Sequence, residues 1–458
     1  MMPTLLEPAR QTRIEAAYDV VVAGGGTAGV IAAVAAARNG ADVLLLERGG
    51  FLGGHPVTQL LEHSVGWFDA TGKATVGGLA NVLVERLRRD GGSPGHIRDD
   101  TGYTKFRLPL EHEVVKSTVT QWIVDENIDF LTQTMVVGVQ EDNHRLYVLV
   151  ENKSGRHAFA ANAIVDTTGD ADVCAFSGCK FLSQDGAETQ PVSLLFKLGG
   201  VNHDSLLDYV EANASGFKLD VEPGCLRDRP YVNLWGFGEF LQRGYAEGRL
   251  SLERNELHYA GHVLTNEAVI NVTRVAADAT SARELSRAEA VLRRQVLEFA
   301  RFFRESVPGC ENSFLAATAS CVGVRESRRI RGLTVLTDED VRAGRSRTDA
   351  VARGGFPIDS HDPRGKGMDG TEHVPRGYDI PFGALVPDQG ANIVVAGRCI
   401  SAERRALASA RITGTSMATG QAAGTAAALS ARTGTSIREL VVNELQAVLR
   451  EQGAIIHE

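Results

Sequence analysis

The sequence lacks the patterns that mark several common classes of protein. It contains no run of five or more lysine or arginine residues and carries a net charge of -9, so nothing in it attracts nucleic acid or an anionic membrane surface. Its six cysteines include no C-x-x-C pair, which argues against zinc, an iron–sulfur cluster and a redox dithiol, and no metal site is predicted. These absences leave a small molecule as the expected partner.

A membrane-crossing segment is also missing from the sequence. Residues 1–19 hold no apolar core of signal-peptide length, and the longest apolar stretch, residues 26–46, is broken by Arg38, Asn39 and Asp42. We therefore expect a cytoplasmic protein that does not bind membranes. An oligomer is compatible with the pattern.

Glycine, in contrast, is abundant, and its first cluster lies inside a βαβ pattern. Residues 18–24 and 41–47 have the pattern of buried strands, and the alanine-rich residues between them have that of a helix. Gly24, Gly26 and Gly29 fit G-x-G-x-x-G, whose glycines allow a tight turn, the approach of a pyrophosphate and close helix–strand packing. An acid at the end of the second strand accepts hydrogen bonds from an adenosine ribose, and Glu47 stands there. This unit predicts a dinucleotide site without distinguishing FAD from NAD.

Later segments extend the pattern along the chain. Residues 135–168 read as a meander of short strands that returns to a buried strand, and residues 281–306 as a long amphipathic helix. Residues 392–397 and 413–431 read as a buried strand followed by a helix of small residues. The dinucleotide-binding character thus returns near the C-terminus, and we expect a discontinuous cofactor domain.

The chain resembles the FAD-dependent oxidoreductases of the glutathione-reductase-like, two-dinucleotide-fold superfamily in five segments. These are AIVDTTGDAD (163–172), GVRESRRI (323–330), LTDEDV (336–341), AGRCIS (396–401) and MATGQAAGTAAA (417–428). The resemblance spans nearly the whole chain and implies a bound FAD.

The fold that the resemblance implies is α/β. It consists of an FAD-binding, Rossmann-like doubly wound domain with a β-meander, formed by residues 15–190 and 385–440, and an inserted mixed α+β substrate domain at residues 191–384. Residues 441–458 would form a C-terminal helix. No second G-x-G-x-x-G occurs, so electrons are expected from the substrate or from a diffusing donor.

The fingerprint and the resemblance together predict the cofactor contacts. A helix N-terminus near residues 412–415 would point at the pyrimidine edge of the flavin, where it stabilises the negative charge of the reduced ring; close packing of this helix without ligand contact is the alternative. The predicted FAD contacts are Gly24, Gly26, Thr27, Ala28, Gly29, Glu47, Arg48, Gly54, His55, Thr168, Gly169, Asp170, Gly397, Arg398, Ile412, Thr413, Gly414 and Thr415.

Candidate residues for substrate and catalysis are less specific. Arg325 is a candidate for an anionic substrate, although the arginines of its segment could instead pair with the acids at 338–340. Asn271 and Arg274 are further pocket candidates, but alternation alone would place Asn271 and Thr273 on a solvent face. The catalytic candidates His373, Arg376 and Tyr378 precede the returning strand, with a surface loop as the alternative.

His55 stands in the segment LGGHPVT, eight residues after Glu47. In the flavoprotein subunits of succinate dehydrogenase and fumarate reductase, which this region resembles in layout, a histidine at a similar offset is bonded covalently to the flavin. The resemblance therefore implies that His55 contacts the ring, through a covalent bond, a non-covalent contact or acid–base work; loop packing is the remaining alternative.

We expect an enzyme in which FAD takes a hydride from a small organic substrate, in specialised metabolism for example, and is reoxidised by oxygen or another acceptor. The alternatives are reduction of an activated C=C bond, as in fumarate reductase, and an NAD-holding protein that is thiazole-synthase-like or non-catalytic. A flavin monooxygenase is disfavoured because AGRCIS stands where the aromatic hydroxylases carry a Gly-Asp signature.

Overall fold

The computed structural model describes residues 5, 8–143, 145–182, 189–362 and 368–456. Its helices within these residues are α1 (Thr27–Arg38), α2 (His55–Thr58), α3 (Leu79–Asp90), α4 (His112–Asp125), α5 (Asp172–Phe176), α6 (His203–Ala212), α7 (Gly238–Ala246), α8 (Ala282–Ser306), α9 (Asp338–Ala343), α10 (Arg404–Ala410), α11 (Thr413–Thr433) and α12 (Val442–Glu451). None of these helices is both long enough and apolar enough to cross a membrane.

The strands of the same residues form several sheets. They are β1 (Arg13–Ala23), β2 (Val43–Leu46), β3 (His63–Ser64), β4 (Ile97–Arg98), β5 (Phe106–Pro109), β6 (Asp129–Leu131), β7 (Met135–Asp142), β8 (Arg145–Asn152), β9 (Gly155–Asp166), β10 (Phe196–Gly199), β11 (Phe217–Lys218), β12 (Tyr231–Gly236), β13 (Leu257–His262), β14 (Glu267–Asn271), β15 (Phe314–Thr318), β16 (Ala350–Gly354), β17 (Ile358–His361), β18 (Met368–Glu372), β19 (Tyr378–Pro381) and β20 (Ile393–Val395).

The first sheet has a parallel, Rossmann-like core. Its strand order is β6-β2-β1-β9-β8-β7, and β20 pairs with the end of β9. The pairs β2–β6, β1–β2, β1–β9 and β9–β20 are parallel, whereas β7, β8 and β9 form an antiparallel meander. The end of β1 is fully buried, as expected for a parallel strand that is covered on both faces. The α/β character predicted from the sequence is therefore present.

Helices α1 and α11 pack backbone against backbone beside this sheet. A methyl group at Gly424 would lie 2.1 Å from the carbonyl oxygen of Ala32, and one at Gly420 would lie 2.3 Å from that of Ala28. Only glycine leaves room for such an approach. The small residues of α11 therefore serve close helix packing along its length, and this packing fixes where its N-terminus lies.

The second large sheet is antiparallel and has its own core. Its order is β11-β12-β13-β14-β10-β15, and α8 shares its hydrophobic cluster through Leu292, Phe299 and Phe303. Ser281 caps α8 by accepting a hydrogen bond from the backbone N–H of Glu284. The helix predicted over residues 281–306 thus packs on its own sheet.

One interpretation from strand alternation is wrong. Thr273 is 1% exposed rather than on a solvent face, and its hydroxyl is hydrogen-bonded to the backbone N–H and carbonyl of Leu194. The physical reason is that β14 ends at Asn271, so the period of two no longer applies two residues later.

The packing of α1 on α11 yields a stability prediction. Gly424→Ala should lower the free energy of unfolding by about 1–3 kcal/mol or more, because the new methyl group meets rigid backbone. Urea unfolding followed by circular dichroism measures this. Gly216→Ala is the matched control, since a methyl group there has no neighbour within 4 Å. Equal stability of the two variants would contradict the packing argument.

Candidate functional site

A cavity of about 890 Å³ runs from the first sheet to the second. Residues just beyond the carboxyl ends of β1, β2, β9 and β20 line one part of it, represented by Gly24, Glu47, Thr167 and Ala396. Ligands of open α/β sheets bind at this edge. Asn233, His258 and Asn271, from β12, β13 and β14, line another part. Both sheets therefore contribute to a single site.

Glycine is present at the positions of the fingerprint for different physical reasons. Gly24 has φ +104°, a conformation that favours glycine, and a methyl group at Gly29 would lie 1.8 Å from the Gly24 carbonyl oxygen. Gly26 differs, because its φ is -74° and a methyl group there would meet only the Cα atom of Gly54, at 3.8 Å. Protein atoms do not require glycine at position 26. The free space beside it fits a ligand that approaches the backbone closely.

Glu47 closes β2 and holds the loops around it. Its two carboxylate oxygens accept hydrogen bonds from the backbone N–H groups of Gly25, at 2.8 Å, and Gly49, at 2.6 Å. Glu47 also lines the cavity, as do Arg48 and Gly54. Each carboxylate oxygen keeps further acceptor capacity, so the residue suits a ribose hydroxyl.

Two helix N-termini open into the cavity without a capping side chain. Neither α1 nor α11 has a side-chain cap or an acidic residue in its first turn. Thr27 and Ala28 of α1 line the cavity, and so do Ile412 and Thr413 at the start of α11. The helix dipole, together with backbone N–H groups that no side chain caps, makes each N-terminus suitable for negative charge.

Three predicted cofactor contacts do not line the cavity. Gly29 packs against Gly24, and the backbone N–H of Gly414 donates to the carbonyl of Val65 at 3.1 Å. Thr415 is fully buried. These residues shape the two helix starts, and the other predicted contacts line the cavity.

Asp170 and Arg398 form a buried ion pair between the ends of β9 and β20. An Nη atom of Arg398 donates to Oδ1 of Asp170 at 3.1 Å, and the Ser327 hydroxyl donates to the same oxygen at 2.6 Å. Burial alone would raise the pKa of Asp170, but Arg398 and Ser327 outweigh it and the pKa is lowered. The other terminal nitrogen of Arg398 is buried without a hydrogen-bond partner among the described residues. The pair therefore has donor capacity left for a ligand.

His55 begins α2 directly after Gly54, and its side chain lines the cavity. Burial, and next the positive charge of Arg398, lower the pKa of the imidazole to about 3. His55 is thus neutral at physiological pH, with one nitrogen that can donate and one that can accept a hydrogen bond.

Four arginines line the same cavity, and three of them lie near the carboxylate of Asp359. Arg274 and Arg254 are buried, and Arg325 and Arg411 are partly buried. The pKa of Arg274 is lowered by burial and, second, by the positive charge of Arg325. The pKa of Arg325 is lowered to about 9 by burial and, second, by the positive charge of Arg411. Arg411 contacts Asp359 at 3.4 Å. This part of the cavity carries excess positive charge that an anion would relieve.

Aromatic side chains form the wall next to these charges. The ring of Tyr103 lies 4.9 Å from that of Trp235 and 5.6 Å from that of Phe356, and all three line the cavity. The site thus combines a cationic part with an apolar wall, which suits a small organic anion.

The three catalytic candidates near the returning strand lie outside the cavity. The Tyr378 hydroxyl is buried and hydrogen-bonded to Ser409 at 2.7 Å. Arg376 is exposed to solvent and donates a hydrogen bond to the carbonyl of Ala343. His373 is exposed, with its ring 6.0 Å from that of Tyr103. The structure does not bring these three together with the predicted cofactor contacts. The substrate candidates Asn271, Arg274 and Arg325 do line the cavity.

Several residues of the site were missed by the sequence reasoning. They are Glu62, His63, Arg254, His258, Asp359, His361 and Arg411. Arg411 directly precedes the predicted helix N-terminus, and this position was a usable signal. The others come from three distant parts of the chain, at residues 62–63, 254–258 and 359–361, and no local pattern connects these parts.

The space at Gly26 generates a binding prediction. Gly26→Val should lose most of the bound FAD, a change of tenfold or more in affinity and thus about 1.4 kcal/mol or more, because valine would occupy the space beside the backbone. Flavin absorbance per protein measures the loss. Circular dichroism should remain that of the wild type, since no protein atom obstructs the first added carbon. A fully yellow variant would contradict the placement.

The match to a family model agrees with this geometry. The family model for FAD dependent oxidoreductases matches residues 19–449, whereas a search of the curated proteins found no match. Among solved structures, the chain is similar to a geranylgeranyl bacteriochlorophyll reductase-like protein from Thermoplasma acidophilum, with 14% identity over 95% of this chain and 84% of the other, and a TM-score of 0.44.

Two further structures have comparable similarity. The p-nitrophenol 4-monooxygenase PnpA from Pseudomonas putida DLL-E4 has 12% identity over 96% of this chain and 84% of its own, with a TM-score of 0.43. The flavin-dependent monooxygenase PieE, solved with FAD and substrate, has 14% identity over 70% of this chain and 52% of its own, with a TM-score of 0.37. None of these values transfers a substrate or a reaction.

The described residues fit an FAD. The open space at Gly26, the two uncapped helix N-termini and the acid at Glu47 match its pyrophosphate, its reduced ring and its ribose in chemistry. The family match decides against an NAD-holding protein, because pyrophosphate and ribose contacts of this kind are common to FAD and NAD. With a family match over residues 19–449, the chain belongs to the FAD dependent oxidoreductase family, and it is an enzyme whose cofactor is FAD.

Proposed function

We propose that the enzyme takes a hydride from a small organic anion, whose carboxylate is held by the arginines of the cavity, and that oxygen or another acceptor completes the cycle. The observation that carries the proposal is a set of four guanidiniums in the cavity. Those of Arg274, Arg325 and Arg411 lie near Asp359, and that of Arg254 lies near the first two. A carboxylate in this place would form charge-assisted hydrogen bonds and lower the mutual repulsion.

Arg274 and Arg325 are fixed for this role by groups around them. One terminal nitrogen of Arg274 donates to Ser193, Asn271 and the carbonyl of Thr273, at 2.8, 3.0 and 2.8 Å. The same type of nitrogen on Arg325 donates to the carbonyl of Pro191 at 2.6 Å and to the Ser193 hydroxyl at 2.7 Å. Because one end of each guanidinium is anchored, the remaining donors are oriented and little ordering is required when an anion binds.

FAD supplies the hydride acceptor when it is bound. The residues of the chain then have three tasks. The arginines hold the anionic end of the substrate, and the aromatic wall of Tyr103, Trp235 and Phe356 covers its body and excludes water. The N-terminus of α11 presents positive partial charge to the cavity, which favours the extra negative charge of a reduced flavin.

The reverse polarity, reduction of an activated C=C bond, would use the same arginines. Direction is therefore tested together with anion binding. A panel of small 2-hydroxy acids, amino acids and saturated acids is mixed with the oxidised enzyme without oxygen, beside their methyl esters. We expect at least one acid to bleach the flavin and its uncharged ester to fail. If no acid reduces it, while enoates reoxidise the photoreduced enzyme, the direction is the reverse of our proposal.

Arg325→Gln should then raise the half-saturating concentration of the active acid about 10- to 100-fold, because it removes one charged hydrogen-bond donor worth about 1.5–3 kcal/mol. Arg331→Gln is the matched control. It lies shortly after Arg325 in the chain, pairs with Asp388 and does not line the cavity. Equal effects of the two variants would remove Arg325 from substrate binding.

His55 we assign to the cofactor as a neutral imidazole. With a pKa of about 3, its protonation is complete only at pH well below 3, so it should contribute no change in rate between pH 5 and 8. We expect FAD to be released on acid denaturation, and His55→Ala to lower FAD affinity or turnover without altering the pH profile. Protein that stays yellow after precipitation, with a mass increased by one FAD, would establish the covalent bond instead.

A further inference from the structure

We propose that Glu62, His63 and His258 form a binding site for a divalent transition-metal cation in the wall of the same cavity. Two histidine nitrogens and a carboxylate oxygen lie within 4.8 Å of one another, and all three residues line the cavity. Imidazole and carboxylate are ligands that zinc and iron(II) share, and three protein ligands leave coordination positions open.

The distances between the ligand atoms suit a common ion. Nδ1 of His258 lies 2.7 Å and Nδ1 of His63 lies 3.9 Å from Oε1 of Glu62. Ligands at about 2.0–2.2 Å from a tetrahedral zinc are separated by about 3.3 Å, which lies between these two values. Small rotations of the side chains would therefore place all three atoms around one ion.

The protonation of His258 can be inferred from its neighbours. The side-chain amide nitrogen of Asn233 donates to Oδ1 of Asp99 at 2.6 Å, which fixes how that amide is oriented. The amide oxygen of Asn233 consequently faces Nε2 of His258, and Nε2 must be the donor in that contact. In a neutral His258 the lone pair of Nδ1 then faces the carboxylate of Glu62. Two acceptors this close need a positive charge between them.

A proton alone would satisfy only part of this arrangement. It would link His258 to Glu62, but Oε2 of Glu62 and Nδ1 of His63 are both buried without a hydrogen-bond partner among the described residues. A metal ion engages all three side chains. The side chain of Glu62 is 9% exposed, so water does not readily compensate its unpartnered oxygen.

The charges around the three residues also favour a cation. Arg107 pairs with Asp100 at 2.9 Å and approaches Asp99 at 3.6 Å, and Arg229 pairs with Asp100 as well. Glu62, in contrast, forms ion pairs only with His63 and His258 among the described residues. Its negative charge is available to the ion, and the Asp99–Asn233–His258 contacts resemble the outer partners that orient metal-bound histidines.

Calorimetric titration with Zn²⁺ tests the proposal on FAD-loaded enzyme that has no polyhistidine tag and has been freed of metal with a chelator. We expect one tight equivalent of Zn²⁺. Glu62→Gln and His258→Gln should weaken it by about 100-fold or more, and Asn233→Ala by about 10-fold, because it removes an outer partner. Melting temperature and FAD content, measured for every variant, verify folding. Zn²⁺ should raise the melting temperature of the wild type but not those of Glu62→Gln and His258→Gln.

His262→Gln is the matched control. It removes a histidine from the same strand, β13. Nδ1 of His262 lies 3.2 Å from Glu111, and no third ligand joins this histidine–carboxylate pair among the residues that the structure describes. This variant should bind Zn²⁺ like the wild type. The proposal is overturned if the wild type binds no Zn²⁺, or if Glu62→Gln, His258→Gln and His262→Gln bind it equally, since the first result leaves only a proton between the residues and the second places the ion elsewhere.

Discussion

The close approach of α1 and α11 is the constraint on which the site depends. Because Gly420 and Gly424 bring the α11 backbone against carbonyl groups of α1, two helices far apart in the sequence become one rigid pair. Their N-termini consequently open into one cavity, one beside the fingerprint and one at Ile412. A larger side chain at either glycine would separate the helices and move the two positive helix ends relative to each other.

The second sheet adds charge to this rigid frame. Arg274 follows β14, Arg325 follows β15 and Arg411 lies between α10 and α11, so the cationic part of the cavity forms only where the two sheets meet. Burial makes these charges costly and also makes them effective, since an ion in a poorly solvated place interacts more strongly than one in water. The anchoring of Arg274 and Arg325 on Ser193 keeps them oriented despite their mutual repulsion.

Features that depend on residues close together in the chain could be predicted from the sequence, and those that join distant segments could not. The β1-α1-β2 unit and α8 have local periodicity, and the structure places them close to the predicted positions. The arginine cluster and the Glu62–His63–His258 set join segments more than a hundred residues apart, and only the fold brings them together. His373, Arg376 and Tyr378 were selected for being near β20 in sequence, but β19 pairs with β16 instead of joining the first sheet. Proximity along the chain was a poor guide there.

The proposed anchoring of a substrate carboxylate by arginines has a consequence for product release. Loss of a hydride changes the body of an organic acid but leaves its carboxylate intact. The product would therefore bind Arg274 and Arg325 through the same carboxylate contacts as the substrate. Discrimination between the two must then come from the aromatic wall, where the geometry of the oxidised carbon differs. Tight contacts of the arginines to the carboxylate would slow the departure of the product, a step that limits turnover in many enzymes.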